Sequence, residues 1–351
     1  MKTEIWKMNP GEDQSEAAER AGMILKSGGL VVFPTETVYG LGGNALDPEA
    51  SKKIYAAKGR PSDNPLIVHI ADMDALPAIA AEIPEAAVRL ADAFWPGPLT
   101  MIFRKTALVP PETSGGLDTV AVRMPIHPAA AAVIRAAGGY VAAPSANVSG
   151  RPSATNVRDV IEDFDGRIEM ILDGGNSDIG IESTIVDMTE AIPVILRPGF
   201  INEEMLRKVL GEVRIDPGIL DENAARGIRP KAPGMRYRHY APKAALTIVE
   251  GDGEKVTEKI NELTEAARKA GKRAGVIASA ETEGRYEADV VRGLGSRSSE
   301  VSISRHLFAV LREFDRDGVD VIYSESFDTP KLGMAIMNRL LKAAGHQVLQ
   351  V

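Results

Sequence analysis

The chain has 351 residues, 44% of them hydrophobic and 26% charged, with a formal net charge of −8. That length exceeds one typical core and predicts two domains of ordinary globular composition, while the acidic balance argues against broad nucleic-acid binding but leaves room for a local basic patch. Zero cysteine excludes disulfides, thiolate metal sites and cysteine nucleophiles, and suits a reducing compartment.

The opening segment MKTEIWKMNPGEDQSE holds no apolar stretch of signal-peptide length, so a cytoplasmic location is expected. Residues 15–27 read as a helix, with Ala17, Ala18, Ala21, Met23 and Ile24 on one apolar face and Gly28-Gly29 as its stop. Leu30–Phe33 is a short continuous apolar run, the pattern of a strand covered on both sides. Pro34 ends it, and Thr35-Glu36-Thr37 reads as a polar loop. Strands are then expected at Leu66–Ile70, Leu99–Phe103, Thr119–Met124, Tyr140–Ala143, Met170–Asp173, Ser183–Met188 and Val194–Arg197. Helices are expected over 47–57, 84–93, 128–137, 154–163 and 202–211. The most aliphatic stretch, Ala129–Ala143, is interrupted by Arg135 and Gly138-Gly139, so no membrane span is expected. Residues 1–215 therefore predict an α/β domain whose twisted sheet is mixed and flanked by helices.

Residues 216–243 form a long connection without sustained period, broken by Pro217, Gly218, Gly227, Pro230, Pro233, Gly234 and Pro242. Within it, 229–243 carries Arg229, Lys231, Arg236, Arg238 and Lys243 and no acid, with Tyr237 and Tyr240 flanking His239. A solvated linker seldom combines these features, so a functional segment is favoured over an inert one. From 244 onward a smaller Rossmann-like α/β domain is expected. Its strands fall at 246–250, 274–279, 319–323 and 348–351, and its helices at 254–270, 299–316 and 333–344. Gly251-Asp252-Gly253 weakly resembles a nucleotide-binding turn, but the fingerprint is incomplete and an ordinary turn is the better reading.

Two segments carry the chemistry. Lys58-Gly59-Arg60-Pro61-Ser62-Asp63-Asn64-Pro65 places two cations in a proline-stiffened turn after a helix. They either complement the helix dipole or bind phosphate, since a guanidinium fork and a compact ammonium both suit phosphate oxygens. Pro144-Ser145-Ala146-Asn147 places small hydrogen-bonding residues where a strand leaves the sheet, the usual ligand edge of α/β folds. There is no P-loop and no G-x-S-x-G elbow. None of the five histidines stands beside Ser145 in sequence, so a serine triad is disfavoured. Arg123 lies inside the apolar run Thr119–Met124 and must be paired, either by an acid such as Asp118 or Glu182 or by a ligand carboxylate. His69, alone in an apolar strand, fits a satisfied core residue. The histidines at 69, 127, 239, 306 and 346 show no metal-ligand spacing, so no dedicated metal site is expected. Mg2+ entering with a nucleotide stays open.

These motifs form an ordered series. It comprises Phe33-Pro34-Thr35-Glu36-Thr37-Val38-Tyr39-Gly40-Leu41-Gly42, the Lys58–Leu66 segment, Trp95-Pro96-Gly97-Pro98-Leu99-Thr100, and Ala143-Pro144-Ser145-Ala146-Asn147. Gly180-Ile181-Glu182-Ser183-Thr184-Ile185 and Leu196-Arg197-Pro198-Gly199 follow. The series resembles the YrdC-like family. With Ala232–Pro242 and the α/β unit after it, the whole chain resembles that family's two-domain threonylcarbamoyladenylate-forming branch. The resemblance implies condensation of L-threonine, bicarbonate and ATP into threonylcarbamoyl-adenylate and pyrophosphate. Downstream proteins would then transfer the threonylcarbamoyl group to tRNA beside the anticodon, and tRNA itself is a further candidate partner.

By the same resemblance, Thr37, His69, Arg123, Ala143 and Ser183 fall at threonine-binding positions. Arg60, Asn64, Thr119, Ser145, Ser153, Arg197 and Tyr237 fall at ATP-binding positions, and Lys58, Arg60, Ser145 and Asn147 complete the pairs tied to activity. Mg2+ would come with ATP, and no organic cofactor is implied. The competing reading is an RNA-binding module that uses the basic face without turnover. A third is carbamoyl transfer, as in the YrdC-like segment of hydrogenase-maturation proteins, but those carry zinc-finger segments that a cysteine-free chain cannot supply. Carbamates decompose in water, which predicts that 216–243 acts as a lid. Deleting 229–243 should abolish product formation while leaving the first domain's circular dichroism unchanged; full activity in the deletion would refute the lid.

Overall fold

The computed structural model describes residues 2–8, 14–220, 231–233 and 240–351. It divides into two compact units, one of Met1–Ser149, Ala154–Asp178 and Glu182–Tyr237, the other of Gly150–Ser153, Ile179–Ile181 and Arg238–Val351.

The first unit opens with Glu4–Lys7 (β1), Ser15–Lys26 (α1), Val31–Phe33 (β2), Gly40–Asn44 (β3), Pro48–Lys58 (α2), Ile67–His69 (β4), Leu76–Ile79 (α3), Glu85–Phe94 (α4) and Leu99–Arg104 (β5). Thr119–Arg123 (β6), Pro128–Ala136 (α5), Val141–Ala142 (β7), Val157–Phe164 (α6), Met170–Asp173 (β8), Thr184–Asp187 (β9), Val194–Arg197 (β10), Glu203–Leu210 (α7), Arg214–Ile215 (β11) and Pro217–Leu220 (α8) follow. Among the described residues the strands form one eleven-stranded sheet in the order β1-β8-β2-β3-β7-β4-β6-β5-β9-β10-β11. Parallel pairs such as β4/β6 and β5/β9 alternate with antiparallel ones such as β5/β6 and β9/β10, so the sheet is mixed. Leu41, Val68, Met101, Val122, Ile171 and Val186 join Leu90, Phe103 and Phe164 in the main core. Val31, Phe33 and Leu172 pack with Ala21, Leu25, Ala130 and Ile134 in a second cluster.

Local chemistry fixes the helix that leads to the cationic turn. Asp47 caps α2 by accepting from the Glu49 amide at 2.9 Å, Pro48 occupies its first turn, and Gly59 ends it in the left-handed region at φ 64°. Asn156 and Asn202 cap α6 and α7 in the same way. The cap explains why α6 begins at Val157 and not at the expected 154: a side chain that closes the first turn lies outside the helix.

Five elements of this unit were not expected, among them the one-turn helix α3 at Leu76–Ile79. β1 and the two-residue β11 are short edge strands whose existence depends on pairing with β8 and β10. β3 has the sequence GLGGN, which carries no strand propensity; it forms because β2 and β7 hold it from both sides. The short helix α8 lies where no period was read. Thr35-Glu36-Thr37, expected as a polar loop, is buried throughout.

The second unit holds Ala245–Glu250 (β12), Gly253–Lys269 (α9), Ala274–Ala278 (β13), Val290–Gly293 (β14), Glu300–Asp317 (α10), Val321–Glu325 (β15), Gly333–Ala343 (α11) and Val348–Gln350 (β16). Its strands make a parallel sheet in the order β14-β13-β15-β12-β16. β14 was not expected, and β15 begins two residues later than the apolar pattern at 319–323 suggested. The Gly251-Asp252-Gly253 turn is structural. Asp252 caps α9, and Gly251, at φ 146°, lies where a Cβ would come within 2.2 Å of the Val351 carbonyl oxygen. The short segments from earlier in the chain are tied into this unit by buried side chains. Arg312 donates to the Pro152 carbonyl through Nε at 3.0 Å and Nη2 at 2.7 Å, and Ser304 donates to the Ile179 carbonyl at 2.8 Å.

Because α2 delivers Lys58, its cap matters to the site. Asp47→Ala should destabilise the first unit by about 1 kcal/mol, read as a lower denaturant midpoint, and Asp47→Ser should recover most of it.

Candidate active site

Strand register builds a polar row across the sheet. His69 pairs with Arg123 across β4/β6, and Arg123 pairs with Thr100 across β6/β5. Ile185 of β9 pairs with Thr100 on one side and Arg197 on the other. Directly opposed residues share a face, so His69, Arg123, Thr100 and Arg197 all project from the same side. Ser183, two residues before Ile185, joins them. Its Oγ lies 2.7 Å from Thr100 Oγ1 and accepts from Arg197 Nη2 at 3.2 Å, while its carbonyl accepts from Arg197 Nε at 3.0 Å.

The buried guanidinium of Arg123 is paired, but not by Asp118 or Glu182. Asp118 is engaged at the surface with Arg104. Arg123 Nη2 donates to Glu36 Oε1 at 2.6 Å, Nη1 donates to Thr37 Oγ1 at 2.7 Å, and Nε reaches the Gly97 carbonyl at 3.4 Å. Three of five N–H donors are thereby engaged, which leaves two for a further acceptor. The Glu36 side chain is 6% exposed and that of Arg123 5%. Breaking such a pair from one side costs about 3–5 kcal/mol, because the survivor is left charged and dry. Glu36 Oε2 has no hydrogen-bond partner among the described residues, a penalty of about 1–3 kcal/mol for a buried acceptor.

The same pair explains the buried threonines. Thr35 Oγ1 donates to the Val38 carbonyl at 2.6 Å and lies 2.9 Å from Thr37 Oγ1, so the Thr37 hydroxyl donates to Thr35 while accepting from Arg123. Glu36, Thr35 and Thr100 were missed in the sequence. The signal for Glu36 was available: an acid between two threonines, in a chain whose strand arginine needed a partner.

His69 is buried, with Nδ1 3.1 Å from the Ile67 carbonyl and its ring edge-on to Phe33 at 6.1 Å. Burial first, and the Arg123 charge second, lower its pKa to about 3. The imidazole is therefore neutral and acts as a hydrogen-bonding and packing group, not as an acid.

A second polar cluster gathers where α2 ends. Lys58 is 2% exposed. Its ammonium donates to the Ser145 carbonyl at 2.6 Å, to the Asn147 carbonyl, and to Asn147 Oδ1 at 3.5 Å. Ser145 Oγ donates to Asn147 Oδ1 at 2.6 Å. Lysine, serine and asparagine thus lock one another, and the lysine charge is delivered through this loop. The two clusters are joined by backbone: Gly40 bridges to Ser145, the Ala146 amide donates to the Tyr39 carbonyl, and the Ala143 amide donates to the Ile67 carbonyl. Only Val38 and Tyr39 separate Thr37 from Gly40.

Arg60 curls onto its own turn, with Nε and Nη2 both 3.1 Å from the Asn64 and Pro65 carbonyls. Asn64 is buried, and its Oδ1 has no partner among the described residues. Thr119 sits at the opposite end of β6 from Arg123, on the same face by alternation. Ser153 belongs to the second unit, and Tyr237 lies outside the described residues, as does most of the proposed lid.

Of that segment, residues 216–220, 231–233 and 240–243 are described. Ala232 packs with Ile67, Ile102, Ala121 and Ile185 on the site face of the sheet. Lys231 pairs with Asp187 at 3.0 Å and Glu190 at 3.1 Å, and Arg197 Nη1 reaches the Pro233 carbonyl at 3.4 Å. No helix among the described residues is long and apolar enough to cross a membrane.

Comparison with known proteins is consistent along the chain. Residues 23–199 match a family model described as telomere recombination, and residues 201–345 match one described as threonylcarbamoyl-AMP synthase, C-terminal domain. The threonylcarbamoyl-AMP synthase of Pyrococcus abyssi is 52% identical over 94% of this chain and 95% of its own length. That of Bacillus subtilis is 46% identical over the whole of both chains. The crystal structure of P. abyssi Sua5 complexed with L-threonine superposes with a TM-score of 0.94 at 49% identity, covering 99% of this chain and 100% of that one.

Neutral His69 has a thermodynamic consequence. The unfolded imidazole binds a proton near its ordinary pKa of 6.5 and the folded one only near 3, so the unfolded state takes up more protons between these values. Stability should fall as pH drops from about 6.5 toward 3. Chemical denaturation across that window should show a shallower slope in His69→Gln; an unchanged slope would mean His69 is not the buried neutral group.

Proposed function

The chain belongs to the threonylcarbamoyl-AMP synthase (Sua5) family, and from that membership and the site geometry we infer that it condenses L-threonine, bicarbonate and ATP into threonylcarbamoyl-AMP and pyrophosphate. The observation that carries this reading is the polar row itself: a sheet face that sets two guanidiniums, a neutral imidazole and two hydroxyls beside a cluster of lysine, serine and asparagine.

The chemistry asks for little beyond position and charge. The threonine amine adds to carbon dioxide derived from bicarbonate, forming the carbamate C–N bond and releasing a proton. A carbamate oxygen then attacks the α-phosphorus of ATP, and the bond to the bridging oxygen breaks as pyrophosphate leaves. Arg123 would receive the threonine carboxylate through its two remaining N–H groups, which suit a bidentate acceptor. Thr37, His69, Ala143 and Ser183 shape the surrounding wall. Arg60, Asn64, Thr119, Ser145, Ser153, Arg197 and Tyr237 are assigned to the nucleotide. Lys58 and Asn147 hold the loop that presents Ser145, so Lys58 acts mainly as a positioning residue.

Mg2+ would arrive on the nucleotide. Among the described residues no group of three or more His, Cys, Asp or Glu could hold a metal ion, whereas Mg2+ shared with phosphates needs few protein ligands. When bound it would offset the charge developing on the leaving pyrophosphate. Residues 1–215 are proposed as the catalytic domain, 244–351 as a Rossmann-like partner domain, and 216–243 as the lid; the seat of Ala232 on the site face supports that role. The product would pass to proteins that modify tRNA beside the anticodon. The RNA-binding reading is not favoured, because the relatives are synthases along their full length.

The test is mass spectrometry of the full chain with Mg-ATP, bicarbonate and L-threonine, omitting each in turn. A threonylcarbamoyl-adenylate signal that needs all of them, with pyrophosphate released, is expected. Salt-sensitive tRNA binding without ATP consumption would instead restore the RNA-binding reading. Arg123→Lys, which loses the fork and keeps the charge, should raise the threonine KM by an order of magnitude or more with a smaller effect on the ATP KM.

A further inference from the structure

Glu36, the ion-pair partner of Arg123, has no task in the functional reading. Its carboxylate is buried, one oxygen is bound to Arg123, and the other, Oε2, has no partner among the described residues. A carboxylate needed only to pair Arg123 could present both oxygens to the fork, as arginine–carboxylate pairs commonly do. Here the guanidinium instead divides its donors among Glu36, Thr37 and the Gly97 carbonyl, and one carboxylate oxygen is left over. His127, whose Nδ1 accepts from the Ala129 amide as the cap of α5 and whose ring proton is therefore on Nε2, does not reach it, since Oε2 has no hydrogen-bond partner among the described residues.

We propose that Glu36 Oε2 is the acceptor for the substrate amine. This rests on the threonine reading above and deepens it. A free amino acid enters as a zwitterion. A lone arginine would complement its carboxylate and repel its ammonium, whereas the Arg123–Glu36 pair offers a donor and an acceptor side by side. Filling Oε2 with an N–H of the ligand satisfies the buried acceptor, so binding energy is directed to the reacting nitrogen. It also sets a specificity rule. Hydroxy acids that keep the carboxylate but lack the amine leave Oε2 unpaired and are rejected on the polar ground that a missing donor is worse than a missing methyl.

Calorimetric titration of the full-length protein tests this with two ligands. One is L-threonine; the other is 3-hydroxybutanoate of matching configuration, which keeps the carboxylate and the hydroxyl and lacks the amine. The native protein should bind threonine at least tenfold more tightly. Glu36→Gln should weaken threonine at least tenfold more than it weakens the analogue, so that the two affinities converge. Equal losses for both ligands would overturn the proposal, since they would mean that Glu36 only orients Arg123 or holds a water. So would an unaltered threonine affinity in Glu36→Gln. If the native protein fails to bind threonine at all, the threonine reading falls first and takes the proposal with it. Should Glu36→Gln not fold, the native protein's preference decides: equal affinity for the two ligands overturns the proposal, and a tenfold preference supports it.

Discussion

A guanidinium placed in the interior of a sheet is tolerable only when its charge is answered, and the Arg123–Glu36 pair is the constraint around which the first unit is arranged. Arg123 lies on β6 near the middle of the sheet, between β4 and β5. Its partner comes from the turn after β2, reached across β3, β7 and β4. The need to bring Glu36 to Arg123 buries Thr35 and Thr37, and the threonines in turn close the turn with hydroxyl bonds to Val38 and to each other. A segment rich in polar side chains thus becomes part of the interior, with the Thr37 and Val38 amides and the Val38 carbonyl met by the Thr35 hydroxyl. Desolvation is costly for such a pair and is recovered only through good geometry and additional hydrogen bonds, which the Thr37 hydroxyl supplies.

The second cluster works by the same physics with the opposite outcome. Lys58 is also buried and cationic, yet its donors turn to two carbonyls and an amide oxygen of the 145–147 loop. An ammonium spends its charge on whatever oxygens surround it, and here those belong to the loop. The lysine therefore fixes Ser145 and Asn147 in place, while Arg60, only half-buried on the neighbouring turn, keeps the more accessible charge. The alternative readings of the K-G-R turn, helix-dipole complement or phosphate site, are not exclusive. Lys58 does end α2, and it also organises the loop beside which the nucleotide is proposed to lie.

Much of the fold was legible from short patterns. Continuous apolar runs at 30–33, 66–70, 99–103 and 119–124 became strands within a residue or two, because a strand buried on both faces needs no alternation. The side-chain caps Asp47, Asn156, Asn202 and Asp252 are local by nature but were not read from the apolar pattern, so α6 starts three residues after its expected position. What escaped were elements whose stability is borrowed. β3 is glycine-rich and is held by neighbours on both sides; β1, β11 and β14 are edge strands of a few residues. None of these has an intrinsic preference strong enough to announce itself.

The sequence by itself determined which chemical groups are present, the mixed α/β character of the first domain, the smaller α/β unit after residue 244, and the order of motifs that carries the family resemblance. These depend on composition and on periodicity over a few residues. Only the tertiary structure decided that Glu36, and not Asp118 or Glu182, answers Arg123, that Lys58 faces the loop, and that His69, Arg123, Thr100, Ser183 and Arg197 share one face. Those outcomes depend on which strands become neighbours and in what register. A shift of a single residue in one strand would turn that strand's member of the row to the opposite side of the sheet, and that choice is made by the packing of the entire core, not by any segment alone.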